Sequence, residues 1–262
     1  MRILAAVALV ALACAGVSAQ DSSSDRWDAR LTAASGDVRV HPADGSEPVE
    51  GSADMPLEEG DRVVTGEGAS AEISLDGESL LTLSANSDFT LEKTARDESS
   101  FSLAFGSLLA KIQSLGARRL SVRTPTSVAA VRGTEFGVDV EGADQSHVGV
   151  FDEGRVEVSG QGATEVLTPN QETSVARGRP PLKPFALKRF VARRKMMRAR
   201  IMRLQAVRKA WRQLPPGPRK RRRLKALRRR IKAIRKNKQA VQRRIQKQKQ
   251  LRQQQEQPRN NP

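Results

Sequence analysis

From Gly36 to about Ala176 apolar and polar residues alternate, as in Val38/Val40, Ala71/Ile73/Leu75, Phe101/Leu103/Phe105, Phe136/Val138/Val140, Val148/Val150 and Val156/Val158. A period of two puts one set of side chains on a single face of an extended chain, so each run predicts a strand with one buried face. Between the runs stand Ala43-Asp44-Gly45-Ser46, Glu59-Gly60-Asp61, Gly66-Glu67-Gly68, Asp76-Gly77, Asp152-Glu153-Gly154 and Ser159-Gly160-Gln161-Gly162. These supply the residues that tolerate positive φ or close an Asx turn. Residues 107–112 contain good helix formers, but Leu108/Ala110/Ile112 alternates like its neighbours and predicts strand. Many short strands predict an all-β domain over 36–176, a sandwich, roll or short β-solenoid, and about 140 residues suffice to close one core.

The period changes after Arg179-Pro180-Pro181. Leu187, Phe190, Met197, Ile201, Leu204 and Trp211 recur at three-four spacing, with Arg194 and Arg208 at the interrupted positions. A linker at 177–183 and a basic helix over 184–214 are predicted. Pro215-Pro216-Gly217-Pro218 ends that helix, because consecutive prolines remove donors and clash with the preceding turn. Leu224, Leu227, Ile231, Ile234, Val241 and Ile245, with Lys238 in the missing place, predict a second basic helix over 219–250. The pair reads as an α-helical hairpin or a coiled-coil seam. The Gln-rich end, 251–262, reads as a disordered tail.

At the other end, Met1-Arg2 precedes an apolar run from Ile3 to Ala13, and Val17-Ser18-Ala19 precedes polar Gln20-Asp21-Ser22. This is the layout of a secretory signal peptide over 1–19, too short to span a bilayer, with 20–35 as a linker to the domain. The expected location is the periplasm or cell envelope. Ala11-Leu12-Ala13-Cys14 loosely resembles the box at which bacterial lipoproteins are acylated, but lacks the usual Leu three places before the cysteine, so a lipoprotein anchored through Cys14 is the lesser alternative. Cleavage after Ala19 leaves a chain without cysteine and hence without disulfides.

Charge sharpens the division. Up to residue 177 there are 14 Lys/Arg against 28 Asp/Glu, and from 178 on 32 against 1, giving −14 and +31 within the net +17. A helical tail so charged repels itself, and a polyanion would relieve that repulsion. Arginine outnumbers lysine 21 to 11 there, which suits bidentate contact with phosphate. The candidate contacts are Arg193, Arg194, Arg198, Arg219, Lys220, Arg221, Arg222, Arg223, Arg228, Arg229 and Arg230. In an envelope the anionic polymers are lipid headgroups and lipopolysaccharide. Nucleic acid is not favoured, since the aromatic interleaving of a single-strand binder is absent. The alternatives are a tail that pairs with the acidic face of its own domain, and one that binds itself or a protein partner as a coiled coil.

Several segments in order resemble the FecR domain family: Gly36-Asp37-Val38-Arg39-Val40, 57–68 (LEEGDRVVTGEG), 71–83 (AEISLDGESLLTL), Gly106-Ser107-Leu108-Leu109-Ala110, 122–138 (VRTPTSVAAVRGTEFGV), Val148-Gly149-Val150-Phe151 and Leu167-Thr168-Pro169-Asn170-Gln171. They cover about Gly36 to Val175. The most specific parts are Thr124-Pro125 and Arg132-Gly133-Thr134-Glu135-Phe136. The founding members of the family are envelope proteins that relay the loading of an outer-membrane iron transporter to a sigma factor. The resemblance implies an envelope ligand-sensing or assembly module, and an exported chain is not expected to touch a cytoplasmic sigma factor. The motif residues have a structural reading: Gly133 takes a conformation closed to other residues, Phe136 starts a buried face, Arg132 can pair with Glu135, and Pro125 fixes the strand entry. Direct ligand contact is the alternative.

Catalytic constellations are missing from the sequence. His41 and His147 stand alone, and there is no HExxH, CxxC, G-x-S-x-G elbow or phosphate loop. Gly66-Glu67-Gly68 sits in a turn without the helix a dinucleotide site requires. The expectation is a non-catalytic binding protein without a cofactor or metal.

Overall fold

The computed structural model describes residues 26–200 apart from 77, 96, 114–118 and 198, together with positions 202, 236, 243 and 247. Within them run seventeen strands. The first eight are β1 (Ala29–Ser35), β2 (Val38–His41), β3 (Val49–Glu50), β4 (Met55–Pro56), β5 (Arg62–Thr65), β6 (Ser70–Leu75), β7 (Ser79–Leu83) and β8 (Ser87–Thr94). Next come β9 (Glu98–Lys111), β10 (Arg119–Arg123), β11 (Val128–Val131), β12 (Glu135–Glu141) and β13 (Gln145–Val150). The last are β14 (Val156–Gly160), β15 (Ala163–Leu167), β16 (Gln171–Ala176) and β17 (Phe185–Ala186).

Pairing sorts them into two sheets. The first has the order β4-β1-β6-β7-β9-β12-β13-β16-β17 and is antiparallel throughout. The second runs β3-β2-β5-β8-β9-β10-β11-β14-β15, with β9–β10 as its one parallel pair. One continuous core lies between them, contributed by both sheets and including Leu31, Val40, Ile73, Phe89, Phe101, Phe136, Val148 and Val158. Of the expected architectures this is the sandwich or roll; a solenoid would stack parallel strands.

Strand β9 belongs to both sheets. Residues 98–105 pair with β8 and β10, and Gly106 to Lys111 pairs with β7 and β12. The change of sheet falls at Gly106, whose φ is +89° and where a Cβ would stand 2.4–2.5 Å from Ser87 and Asn86. Only glycine fits there. The kink also shifts the phase of the alternation. Phe101 and Leu103 face the core, Phe105 is exposed, and beyond the glycine Leu108, Ala110 and Ile112 take over the inward positions. The expected burial of Phe105 is thus corrected: the alternation resumes after the bend on even numbers rather than odd.

The domain also extends beyond 36–176. The stretch expected to be linker, 20–35, contributes β1, which buries Ala29 and Leu31 and pairs with β6 along its length. On the other side β17 adds to β16 where a helix was expected to begin at residue 184. Helix starts at residue 191 instead, with Arg194 N–H donating to Phe190 O at 2.9 Å. The signal segment 1–19 with Cys14, the hairpin or coiled-coil arrangement, and the second basic helix apart from the helical positions 236, 243 and 247 lie outside the described residues. Among the described residues no helix is long and apolar enough to cross a membrane.

Candidate functional site: the seat of the basic segment

Apart from exposed Arg132, the sequence-predicted motif residues sit in turns or in the core. Thr124 Oγ1 accepts hydrogen bonds from the amides of Thr126 and Ser127 at 3.3 and 2.9 Å, closing the turn in which Pro125 sits between β10 and β11. Ser127 Oγ in turn contacts Ser146 Oγ at 2.9 Å, tying this turn to β13. Gly133 has φ +58°, and Thr134, fully buried, hydrogen-bonds the carbonyl of Glu153. Phe136 is fully buried in the main core, as its place in the alternation predicts. Arg132 is exposed, and Glu135 pairs with Lys111 at 2.8 Å instead, because the antiparallel register sets Glu135 directly opposite Lys111 on β9. The expected Arg132–Glu135 pair is therefore corrected.

Lys111 also meets Glu153. Burial pulls the Lys111 pKa down, but the hydrogen bonds to Glu135 and Glu153 outweigh it and leave it raised. Glu135 Oε2 is buried without a hydrogen-bond partner. Replacing Lys111 by methionine should therefore strand a buried carboxylate and destabilise the domain by roughly 2–4 kcal/mol in chemical unfolding. Lys111→Arg should recover part of the loss; a Met variant as stable as wild type would show the pair to be idle.

The more unusual site lies on the outer face of the first sheet. Along β12 and β13 the inward residues are Phe136, Val138, Val148 and Val150, so Gly137 and Gly149, cross-strand partners in the register, face outward. At neither is the backbone in the left-handed region. What requires glycine is Phe190: a Cβ at Gly137 would stand 2.6 Å from its ring and one at Gly149 also 2.6 Å, with Leu187 at 2.7 Å. The ring is fully buried in a second apolar cluster with Leu80, Leu109, Phe151 and Met197, against which Leu187 packs. Phe151 and Phe190 have ring centroids 6.1 Å apart at a tilted angle. Leu187, Phe190 and Met197 of the predicted stripe thus all lie against the sheet, but only Met197 is in the helix, and Leu187 and Phe190 belong to the segment that leads into it.

Around this apolar seat stands a ring of carboxylates. Glu172 Oε2 accepts the amides of Lys188 and Arg189, both at 3.1 Å, and so caps the turn that leads into the helix. Arg189 pairs with Glu141 and stands 3.5 Å from Asp139 Oδ2. Arg193 pairs with Asp139, donates to Ser107 Oγ at 2.6 Å, and lies with its guanidinium carbon 5.5 Å from the Phe190 centroid. Arg194 pairs with Asp152 and donates to Asn170 at 2.6 Å, and Arg200 reaches Glu72 at 3.6 Å. The Arg189 partner holds the Glu141 carboxyl below its usual range. His147, beside them on β13, is pushed down by burial and then by Arg189, so the seat favours its neutral form.

Magnitudes rank these contacts. Half-exposed ion pairs contribute about 0–1 kcal/mol each, whereas truncating a buried Phe typically costs about 3–5 kcal/mol. Phe190 anchors the segment, and the arginines orient it. Two of the candidate polyanion contacts, Arg193 and Arg194, are thus taken up by carboxylates of the β domain, because the helix rotation that buries Phe190 and Met197 turns both toward the acidic rim. Arg198, Arg219, Lys220, Arg221, Arg222, Arg223, Arg228, Arg229 and Arg230 lie outside the described residues. Sequence reasoning missed Arg189, Arg200 and the two glycines. The signal for the glycines was present, since glycine inside a strand marks close approach of another group. Among the described residues no group of three His, Cys, Asp or Glu could hold a metal ion.

Residues 61–157, from β5 into β14 and including the Thr124-Pro125 and RGTEF motifs, match the family model described as FecR protein. The FecR match over that span is narrower than the resemblance from Gly36 to Val175. Two crystal structures of a chain from Parabacteroides distasonis ATCC 8503, provisionally described as an anti-sigma factor, are similar at 17% identity and TM-score 0.44. Each match covers 49% of this chain and 61% of that one, a partial likeness. No curated protein matches the sequence.

Proposed function

We propose that this chain is a non-catalytic binding or sensing module of the cell envelope, in which a FecR-type β domain carries a basic tail that contacts anionic envelope polymers. The FecR match supports the sensing or regulatory class. The observation behind the tail's role is the separation of charge: 32 Lys/Arg follow residue 177 against a single acidic residue. The β domain cannot neutralise them all, since many of its carboxylates already serve its own cations, as in Arg30–Asp28, Arg39–Asp37, Arg62–Asp88, Lys93–Glu98 and Lys111–Glu135. Lipid headgroups and lipopolysaccharide offer the phosphates that arginine pairs with best. Export through residues 1–19 would deliver the chain to them.

A second reading is a structural assembly protein whose helical tail forms coiled-coil contacts. It is favoured by Val191, Met196 and Met202, apolar residues left exposed on the helix. Cosedimentation of the exported chain with vesicles separates the two. On the first reading phosphatidylglycerol vesicles or lipopolysaccharide bind it at low salt, phosphatidylcholine vesicles bind far less, and binding is lost near 1 M salt, where the Debye length is about 3 Å. Equal binding to neutral vesicles, or none to anionic ones at low salt, would remove the polyanion role and leave the assembly reading.

A further inference from the structure

The arginines that hold the basic segment on the first sheet are of the same kind that would grip a polyanion. Arg189, Arg193, Arg194 and Arg200 are each bound by one or two carboxylates, yet a quarter to a third of each side chain remains open to solvent. A phosphate can approach any of them, and it competes directly with Glu141, Asp139, Asp152 or Glu72. The apolar part of the seat is small: one ring over two glycines, with Leu187 and Met197 beside it. Nothing in the main core depends on it, because every residue of that core lies at or before Val175.

We infer that the outer face of the first sheet is a docking site for one basic, aromatic-anchored helical segment, that its occupant is the chain's own 187–200, and that polyanion binding by the tail releases it. This rests on the polyanion reading of the tail. Charge complementarity argues for this occupant. Asp139 and Glu141 project from the same face of β12, and Asp152 and Glu172 flank the glycines. Without the strap these carboxylates face one another around an exposed apolar floor, and Asp139, nearly buried, loses both of its cations. A phosphate-rich surface supplies what the arginines need elsewhere and leaves the acidic rim repelled from that same surface. Docked and surface-bound states of the segment are therefore mutually exclusive, and the released face is presented away from the anionic surface.

The test is a distance measurement on residues 20–262, which contain all the described ones. Spin labels are placed at Asp144→Cys, in the β12–β13 turn, and Met196→Cys, on the exposed side of the helix. Cosedimentation is measured on the same samples. The label distance should be single and narrow in the free protein and with phosphatidylcholine vesicles, and longer and broad with phosphatidylglycerol vesicles. Gly149→Leu, which fills the seat, should give the broad distribution without vesicles and bind anionic vesicles severalfold more tightly than wild type. Phe190→Ala adds no bulk to β13 and should behave in the same way. Binding by the variants but not by wild type would support the inference equally, as a strap that masks its own arginines. Vesicle-bound protein that keeps the narrow distance overturns the inference while the polyanion reading stands. Absence of binding by wild type and both variants overturns both.

Discussion

Replacing Phe136 by aspartate is expected to unfold the β domain. Phe136 is fully buried between the two sheets, on a strand paired on one side with β9 and on the other with β13. An aspartate there would be an unpaired charge in the core and would leave the volume of a ring unfilled, a combined loss of about 4 kcal/mol or more against the margin of an ordinary domain. Circular dichroism and chemical unfolding measure it directly. Arg132→Ala, four residues earlier in the same motif, should cost less than about 0.5 kcal/mol, because an exposed side chain away from special features seldom matters more. A Phe136→Asp protein with wild-type stability would mean that the RGTEF segment is a surface, and would revive the reading of these residues as ligand contacts.

The second large effect concerns the tail's root. Phe190→Ala removes the ring that fills the space above Gly137 and Gly149, and truncation of a buried Phe costs about 3–5 kcal/mol when the site cannot collapse. Two strands fix the floor, so collapse is limited. The loss should fall on docking and not on the domain, since the ring belongs to the satellite cluster and not to the main core. Hydrogen exchange is the measurement: the amides of Lys188 and Arg189, held by Glu172, should lose their protection, while those of β12 and β13 keep theirs. Loss of protection throughout the sheet would show instead that the basic segment is an integral part of the fold.

These two residues also show what could be read from the sequence. Phe136 was legible because alternation is a local property: FGVDV puts Phe136, Val138 and Val140 on one side whatever their partners are. That Leu187, Phe190 and Met197 share a buried side was legible from their spacing, although the helix that spacing predicts begins only after Phe190. Hidden were the features that depend on a distant partner. β1 carries little alternation of its own, and its burial comes from pairing with β6 some forty residues later. The bend at Gly106 left a trace, the move of apolar residues from odd to even positions, but a bulge and the end of a strand look alike in sequence. Gly137 and Gly149 read as ordinary strand glycines until the register sets them side by side and Phe190 above them. The candidate arginines were chosen by density of charge, which says nothing of which side of the helix faces the domain, and so Arg193 and Arg194 were assigned to a polyanion, whereas Asp139 and Asp152 hold them.

The claim on which the account turns is that the acidic β domain and the basic tail meet in one seat. Nuclear Overhauser contacts on residues 20–262 in solution test it most directly. The account predicts cross-peaks from the Phe190 ring protons to the α-protons of both Gly137 and Gly149, with those α-protons shifted upfield by the ring above them. Ordinary glycine shifts and no contact to Phe190 in the free protein would contradict it.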